Sequence, residues 1–255
     1  MTKLQTVLGL MSGTSLDGID VAAIETDGEN IIRSLGQLYV PYDAEARGLL
    51  QAALEAAQNA KPSDWGSSDT WPEPVRHADL LVSEAHIGAI ARFRAKHDVA
   101  FTLVGFHGQT VLHRPEAGIT VQIGDPQLLA RATDCAVVGQ FRLADIANGG
   151  QGAPLAPLFH AARAKSQSGS LGVLNIGGVA NITLLDEGEK ICSFDTGPGN
   201  ALLDDWVSAK TGRPYDADGA LARNGRVDEM ALQRLLSHVF FDRAPPKSLD
   251  RLAFD

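Results

Sequence analysis

Cysteine is nearly absent: the 255 residues contain two, Cys135 and Cys192, far apart and in no CxxC pair. That excludes a thiolate zinc site and a disulfide framework, and a reducing compartment is the default expectation. Positive charge is also scarce. Lys and Arg number 22 against 31 Asp and Glu, for a net charge of −9. Nucleic acid and anionic membrane surfaces are poor partners for such a chain. A single phosphate group is not excluded, because backbone N–H groups and a cation can neutralise it locally. Long apolar runs are missing too. Nothing approaches the ~20 residues needed to span a bilayer, and no signal-peptide core follows Met1. The expectation is a soluble, cytoplasmic protein with no nucleic-acid or membrane partner.

Glycine is plentiful at 26 residues, within a chain that is 44% hydrophobic and 21% charged. That composition is globular, and the length allows one large or two small domains with a self-sufficient core. Apolar runs at 4–10 and 19–25 flank MSGTSLDG and read as a β-hairpin, with a third strand over 31–39. A helix is expected over 43–58, capped by Asp43, followed by an exposed Pro/Ser/Asp-rich loop over 61–74. The next helix covers 75–97, with Val75, Ala78, Val82, Ala85, Ala89 and Phe93 on one face. His77, His86 and His97 read there as packing or solvent-facing residues. Strands follow over 101–105, 119–123 and 135–138, with a short helix over 126–133. The Gly/Pro-rich stretch 144–157 reads as a junction between domains 1–150 and 151–255. Beyond it, strands are expected over 171–176, 179–185 and 190–194, and helices over 200–211 and 227–238. Each half opens as strand, glycine-rich turn, strand, which suggests two α/β lobes facing each other across a cleft.

The glycine-rich turns carry the chemistry. In MSGTSLDGID (11–20), Gly13 and Gly18 permit tight turns and close ligand approach. Thr14 and Ser15 supply hydroxyls, and Asp17 and Asp20 are candidate metal-water ligands or orienting carboxylates. A P-loop is excluded, because Ile19-Asp20 stand where Lys-Ser/Thr is required and a strand follows. A hairpin phosphate cradle and an ordinary turn both remain open. In LNIGGVANITLL (174–185), Gly177 and Gly178 leave backbone N–H groups for an anion. In FDTGPGNALLDDW (194–206), Asp195 ends a strand before a Gly-Pro-Gly turn, a placement that suits a general base. The GxGxxG fingerprint fails there at Leu202, and Asp204 and Asp205 read as partners of a helix dipole. His107 and Gln109 in GFHGQTV, and Gln151 with Gly152 in GGQGAP, suit hydrogen bonds to sugar hydroxyls or an amide. The other reading of the histidine is a bond to a local backbone group. No side-chain set has metal-ligand spacing.

Together these segments resemble the anhydro-N-acetylmuramic acid kinases. The stretches LGLMSGTSLDGID, FHGQTVLH, VQIGDP, FRLADIANGGQGAPLAPLFH, LNIGGVANIT, FDTGPGNALLDDW, YDADGALARNG and PPKS occur in family order over nearly the whole chain. The resemblance implies an α/β, two-lobed actin-like fold of the sugar kinase/Hsp70 type (RNase H-like), with ATP in the cleft. It implies a reaction in which ATP and water open a 1,6-anhydro bridge while O6 is phosphorylated, in peptidoglycan recycling. It places Gly13, Thr14, Ser15, Leu16, Asp17, Gly18, Ile19 and Asp20 in the first phosphate turn, Gly177 and Gly178 in the second, and Asp195 as the base. Mg²⁺ is expected with the ATP, and a homodimer is suggested. The family pattern continues past residue 255, where it carries a third glycine-rich turn and a sugar-holding glutamate. The second lobe is therefore expected to be incomplete and to expose apolar surface. Three alternatives follow: a binding module without transfer, a kinase for a related amino sugar, and a sugar-kinase-like regulator. The last is disfavoured because no helix-turn-helix precedes Leu4.

Overall fold

The computed structural model describes residues 3–13, 15–165, 167–186, 191–249 and 254; Thr14, Lys190 and Asp255 lie outside the described residues. The chain divides into two units, Met1–Ala153 and Pro154–Asp255.

Unit 1 is built on strands β1 (Gln5–Ser12), β2 (Gly18–Thr26), β3 (Ile32–Pro41), β4 (Leu103–Arg114), β5 (Ile119–Ile123) and β6 (Ala136–Gly139). Alternating burial along β2 drives Ile19, Val21 and Ala23 inward, and it fixes the antiparallel register Ser12↔Ile19 to Gln5↔Thr26 with β1. β3 extends this meander, whereas β4 joins β1 in parallel and β6 joins β4 in parallel. The path is therefore β3-β2-β1-β4-β6, with β5 antiparallel on the far half of β4. A three-strand meander continued by two parallel crossover strands is the order expected of an RNase H-like lobe.

Helices α1 (Ala44–Asn59) and α2 (Glu73–Lys96) make the crossover from β3 to β4. Asp43 caps α1 by accepting the Ala46 N–H at 2.8 Å. α2 buries Val75, Ala78, Val82, His86, Ala89, Ile90 and Phe93. The 61–74 segment is less of a free loop than its composition suggests. It forms two short 3₁₀ turns and tucks Trp65 and Trp71 against the core, their ring centroids 6.1 Å apart. Large aromatic surfaces outweigh the polar residues around them. The last crossover runs through α3 (Pro126–Thr133), capped by Asp125. The expected junction is also more ordered than its glycines imply, because α4 (Phe141–Ala147) and α5 (Ala156–Ala164) lie within or beside it.

FHGQT is not a loop. It continues β4 through a β-bulge, where His107 and Gly108 stand opposite Met11 between the pairs Leu10↔Phe106 and Ser12↔Gln109. Gly108 has φ +66° and lies so close to the Ile123 carbonyl that a β-carbon would collide with it.

Unit 2 holds an antiparallel sheet of β7 (Leu171–Ile176), β8 (Val179–Leu185) and β9 (Ile191–Pro198), with helix α5 before it and helices α6 (Asn200–Thr211), α7 (Ala220–Asn224) and α8 (Glu229–Leu236) after it. Among the described residues few side chains are buried here: Pro157, Ala180, Thr183, Ala201, Val207 and Phe240. Large apolar side chains stay exposed instead, among them Leu174 at 58%, Trp206 at 59% and Met230 at 75%.

The first turn yields a test of its glycines. A β-carbon at Gly18 would sit 2.5 Å from the Val40 carbonyl oxygen and 2.8 Å from the Tyr39 ring, whereas at Gly13 the nearest atom is Ser15 Oγ at 3.6 Å. Gly18→Ala is expected to lower stability by about 1–3 kcal/mol in denaturant titrations. Gly13→Ala should be near neutral.

Candidate functional site

In unit 1, the turn between β1 and β2 is braced from beneath. Ser12 Oγ donates to Gln109 Oε1 at 2.5 Å and accepts from the Tyr42 hydroxyl at 3.1 Å. The Tyr42 N–H donates to the Asp17 carbonyl at 2.9 Å, and the Leu16 N–H to the Gly13 carbonyl at 3.2 Å. Leu16 takes the left-handed conformation, φ +55°, which costs roughly 1–2 kcal/mol for a non-glycine residue. Its side chain joins the core beside that of Ile19, so of these two residues only the backbone is available to a ligand. Gly18 is also explained from within, by the crowding of β3, and not by ligand approach.

The groups that do face outward are Gly13, Ser15, Asp17 and Asp20. Ser15 Oγ donates to Asp17 Oδ1 at 2.6 Å. Burial, together with the neighbouring Asp17 charge, raises the Asp20 carboxyl above its ordinary range. Among the described residues no three His, Cys, Asp or Glu side chains gather as a metal cage. Two outward carboxylates at a glycine-bearing turn are nonetheless a donor set that fits Mg²⁺, an ion that keeps several waters and needs only one or two carboxylates from the protein.

A second cluster in unit 1 surrounds the bulge. The Arg142 guanidinium donates to the Gly152 carbonyl at 2.7 Å and faces His107 Nε2 at 2.8 Å. His107 Nδ1 meets the Gly108 carbonyl at 2.9 Å. Arg142 can only donate, so Nε2 is the acceptor, Nδ1 carries the proton and the ring is neutral. Burial, then the Arg142 charge, holds its pKa below the usual value. Asp145 Oδ2 accepts the Gly152 N–H at 2.6 Å, and the Asp145 carbonyl accepts that of Gly150 at 2.8 Å.

Two sequence expectations change here, those for Gln109 and Gly152, and His107 makes the local backbone bond that is one of its two readings. His107 has both nitrogens engaged. Gln109 is fully buried as the partner of Ser12, and its Nε2 donates to the Thr110 carbonyl. Gly152 is buried, φ +67°, with its N–H and C=O both taken. These residues hold the β4 bulge and the 149–152 loop in place. Of the four sugar-site candidates, only Gln151 is exposed. The sequence reading missed Ser12, Arg142 and Asp145. The signal was present in FRLAD, an Arg and an Asp three residues apart, but their shared partner, Gly152, becomes visible only in the fold.

In unit 2, the Gly177–Gly178 turn is married to the start of α6. The Asn200 N–H donates to the Gly177 carbonyl at 2.7 Å, and the Ala201 N–H to the Gly178 carbonyl at 3.2 Å. The helix's first donors are therefore already satisfied. Gly199 packs so tightly on the Gly177 carbonyl that no β-carbon fits. Asp195 does not end its strand as expected: β9 runs on to Pro198, and Asp195 lies inside it, paired with Asn181 of β8 beside a bulge that Thr196 closes by donating to the Ala180 carbonyl at 3.1 Å. Its own N–H donates to the Lys247 carbonyl at 2.9 Å, and its Oδ2 accepts the Leu249 N–H at 2.8 Å. Burial raises its pKa, and the Leu249 N–H partly counteracts this. A carboxylate raised above its ordinary range and sitting beside glycine-rich turns is shaped for proton abstraction.

A family model described as anhydro-N-acetylmuramic acid kinase matches residues 5–255. An anhydro-N-acetylmuramic acid kinase of Rhodopseudomonas palustris (strain BisB18) is 51% identical over 98% of this chain and 68% of its own length. One from Methylobacterium nodulans is 50% identical over 97% of this chain and 69% of its own length. The chain thus spans about two thirds of these relatives. A solved exopolyphosphatase-like protein aligns with 97% of this chain and 66% of its own at 13% identity, with a TM-score of 0.37. The sheet order, not that alignment, carries the fold. The chain belongs to the anhydro-N-acetylmuramic acid kinase family.

Proposed function

We propose that the chain is an ATP-dependent kinase that opens 1,6-anhydro-N-acetylmuramic acid with water and phosphorylates O6, giving N-acetylmuramic acid 6-phosphate in peptidoglycan recycling. The observation that carries this is Asp195, a half-buried carboxylate with raised pKa and one oxygen held by Leu249, in a chain of this family. Asp195 takes a proton from water as the water oxygen bonds to the anomeric carbon. The bond from that carbon to O6 breaks, O6 bonds to the γ-phosphorus, and ADP leaves with the bridging oxygen. The proton then passes from Asp195 to solvent.

The first turn holds phosphates through its outward groups Gly13, Ser15, Asp17 and Asp20 and through Thr14, and Gly177 and Gly178 form the phosphate turn of unit 2. Arg142, His107 and Asp145 stiffen the 149–152 loop so that Gln151 presents its amide to the sugar. Mg²⁺, held through Asp17 and Asp20, supplies charge neutralisation on the phosphates when bound. Among the described residues no helix is long and apolar enough to cross a membrane. We place the enzyme in the cytoplasm, as an actin-like two-lobed homodimer.

The test mixes the chain with ATP, Mg²⁺ and the anhydro sugar. Phosphorus NMR should show a new sugar phosphomonoester together with ADP. In ¹⁸O-labelled water the label should appear on the anomeric carbon and not on phosphate. Label in inorganic phosphate, or saturable sugar binding with ATP unchanged, overturns the reading in favour of an ATPase or a binding module respectively.

A further inference from the structure

The PPKS segment near residue 247 is a sequence motif that the proposed reaction does not use, yet it touches the base. Its backbone makes two contacts with Asp195. The Lys247 carbonyl accepts the Asp195 N–H at 2.9 Å, and the Leu249 N–H donates to Asp195 Oδ2 at 2.8 Å. Oδ1 accepts no hydrogen bond among the described residues. The segment is itself tethered. Lys247 Nζ donates to the Phe240 carbonyl at 3.1 Å and reaches the Phe241 carbonyl at 3.5 Å. It also lies 4.5 Å from the centroid of the Phe240 ring, which is 1% exposed. The Phe241 ring in turn lies against Gly197 of β9, two residues beyond the base.

We propose that Lys247 is a positioning residue for the reaction. By pinning the 247–249 backbone to the 240–241 turn, it makes Leu249 hold Oδ2 of Asp195 and so aims Oδ1 at the attacking water. The proposal rests on the reading of Asp195 as the base. The physical logic is that of any oriented base: one oxygen is fixed by a donor so that the other has a single direction. An ammonium held by two carbonyls and lying over a buried ring anchors a short segment, because its hydrogen bonds are charge-assisted and the Phe240 ring beneath it is fixed in the core of unit 2.

The variants are Lys247→Met, which keeps the apolar stem, and Lys247→Arg, which can still donate to carbonyls and stack on the ring. Lys247→Met is expected to lower kcat by about 100-fold, the cost of a misplaced reacting group, with KM for ATP and sugar unchanged. Lys247→Arg should recover most of that loss. Amide hydrogen exchange supplies a readout independent of turnover. The Leu249 amide should exchange about tenfold faster in Lys247→Met and in Asp195→Ala, but not in Asp195→Asn, whose amide oxygen still accepts. Wild-type kcat in Lys247→Met overturns the proposal, as does unchanged Leu249 exchange in that variant. So does a joint change in kcat and KM that Arg does not rescue, which marks a merely structural lysine. If the unmodified chain shows no turnover, the kinase reading fails, and the exchange pattern alone decides whether Lys247 tethers Asp195.

Discussion

Asp195→Asn should keep the fold and lower sugar phosphorylation by about 10²–10⁴-fold, the range typical for removing a general base. The substitution is nearly isosteric, and an Asn oxygen still accepts the Leu249 N–H, so the contact at 2.8 Å survives. What disappears is the capacity to take a proton. ATP binding should be unaffected, because the proposed phosphate groups lie in the 13–20 and 177–178 turns. The check is ADP release coupled to sugar phosphorylation, with circular dichroism and an ATP-binding measurement on the same sample. Retained turnover in a folded variant would place the base elsewhere. The wild-type enzyme should show a matching pH dependence. Only the ionised carboxylate is a base, and burial raises its pKa, so kcat should fall on acidification through a midpoint above the ordinary carboxylate value. Asp195→Asn should lose that limb along with the activity.

The parts of this protein that could be read from sequence are those whose causes are local. The hairpin around residues 12–19 follows from two alternating runs and a glycine-bearing turn, and the helix over 200–211 follows a Gly-Pro-Gly break. Asp195 stands out in the sequence as a carboxylate before such a turn, but the continuation of its strand to Pro198 through a bulge is not visible locally. What was not legible is what depends on distant partners. Gln109 looks like a polar ligand in a glycine loop, but its acceptor oxygen serves Ser12, 97 residues away. Gly108 suggests a loop, yet it is glycine because the Ile123 carbonyl presses on a bulge inside a strand. Asp195 and Leu249 are 54 residues apart. Local pattern specifies which elements form; the supports of a site are specified by who meets whom afterwards.

His86 shows the same limit with a measurable consequence. Its place on α2 fits a packing or a solvent-facing histidine equally well, and the fold buries it completely. Nδ1 lies 2.7 Å from the Val82 carbonyl, so the neutral ring donates from Nδ1. Nε2 is buried with no partner among the described residues, and the ring meets Phe106 edge-on at 5.0 Å. Burial lowers its pKa from 6.5 to about 4. The unfolded chain therefore protonates this histidine before the folded one does. Above pH 6.5 both states are neutral and the residue adds no pH dependence. As pH falls from 6.5 to about 4 the unfolded state gains a proton that the folded state resists, and stability declines by about 3 kcal/mol over that window. Denaturant titrations of the wild type at pH 7.5 and 4.5, compared with His86→Leu, should show the variant losing less stability on acidification. Leucine fills the site without a titratable nitrogen, and Val82 is left with only its helical hydrogen bond. Equal acid sensitivity in the two proteins would mean that the core of unit 1 admits water to Nε2.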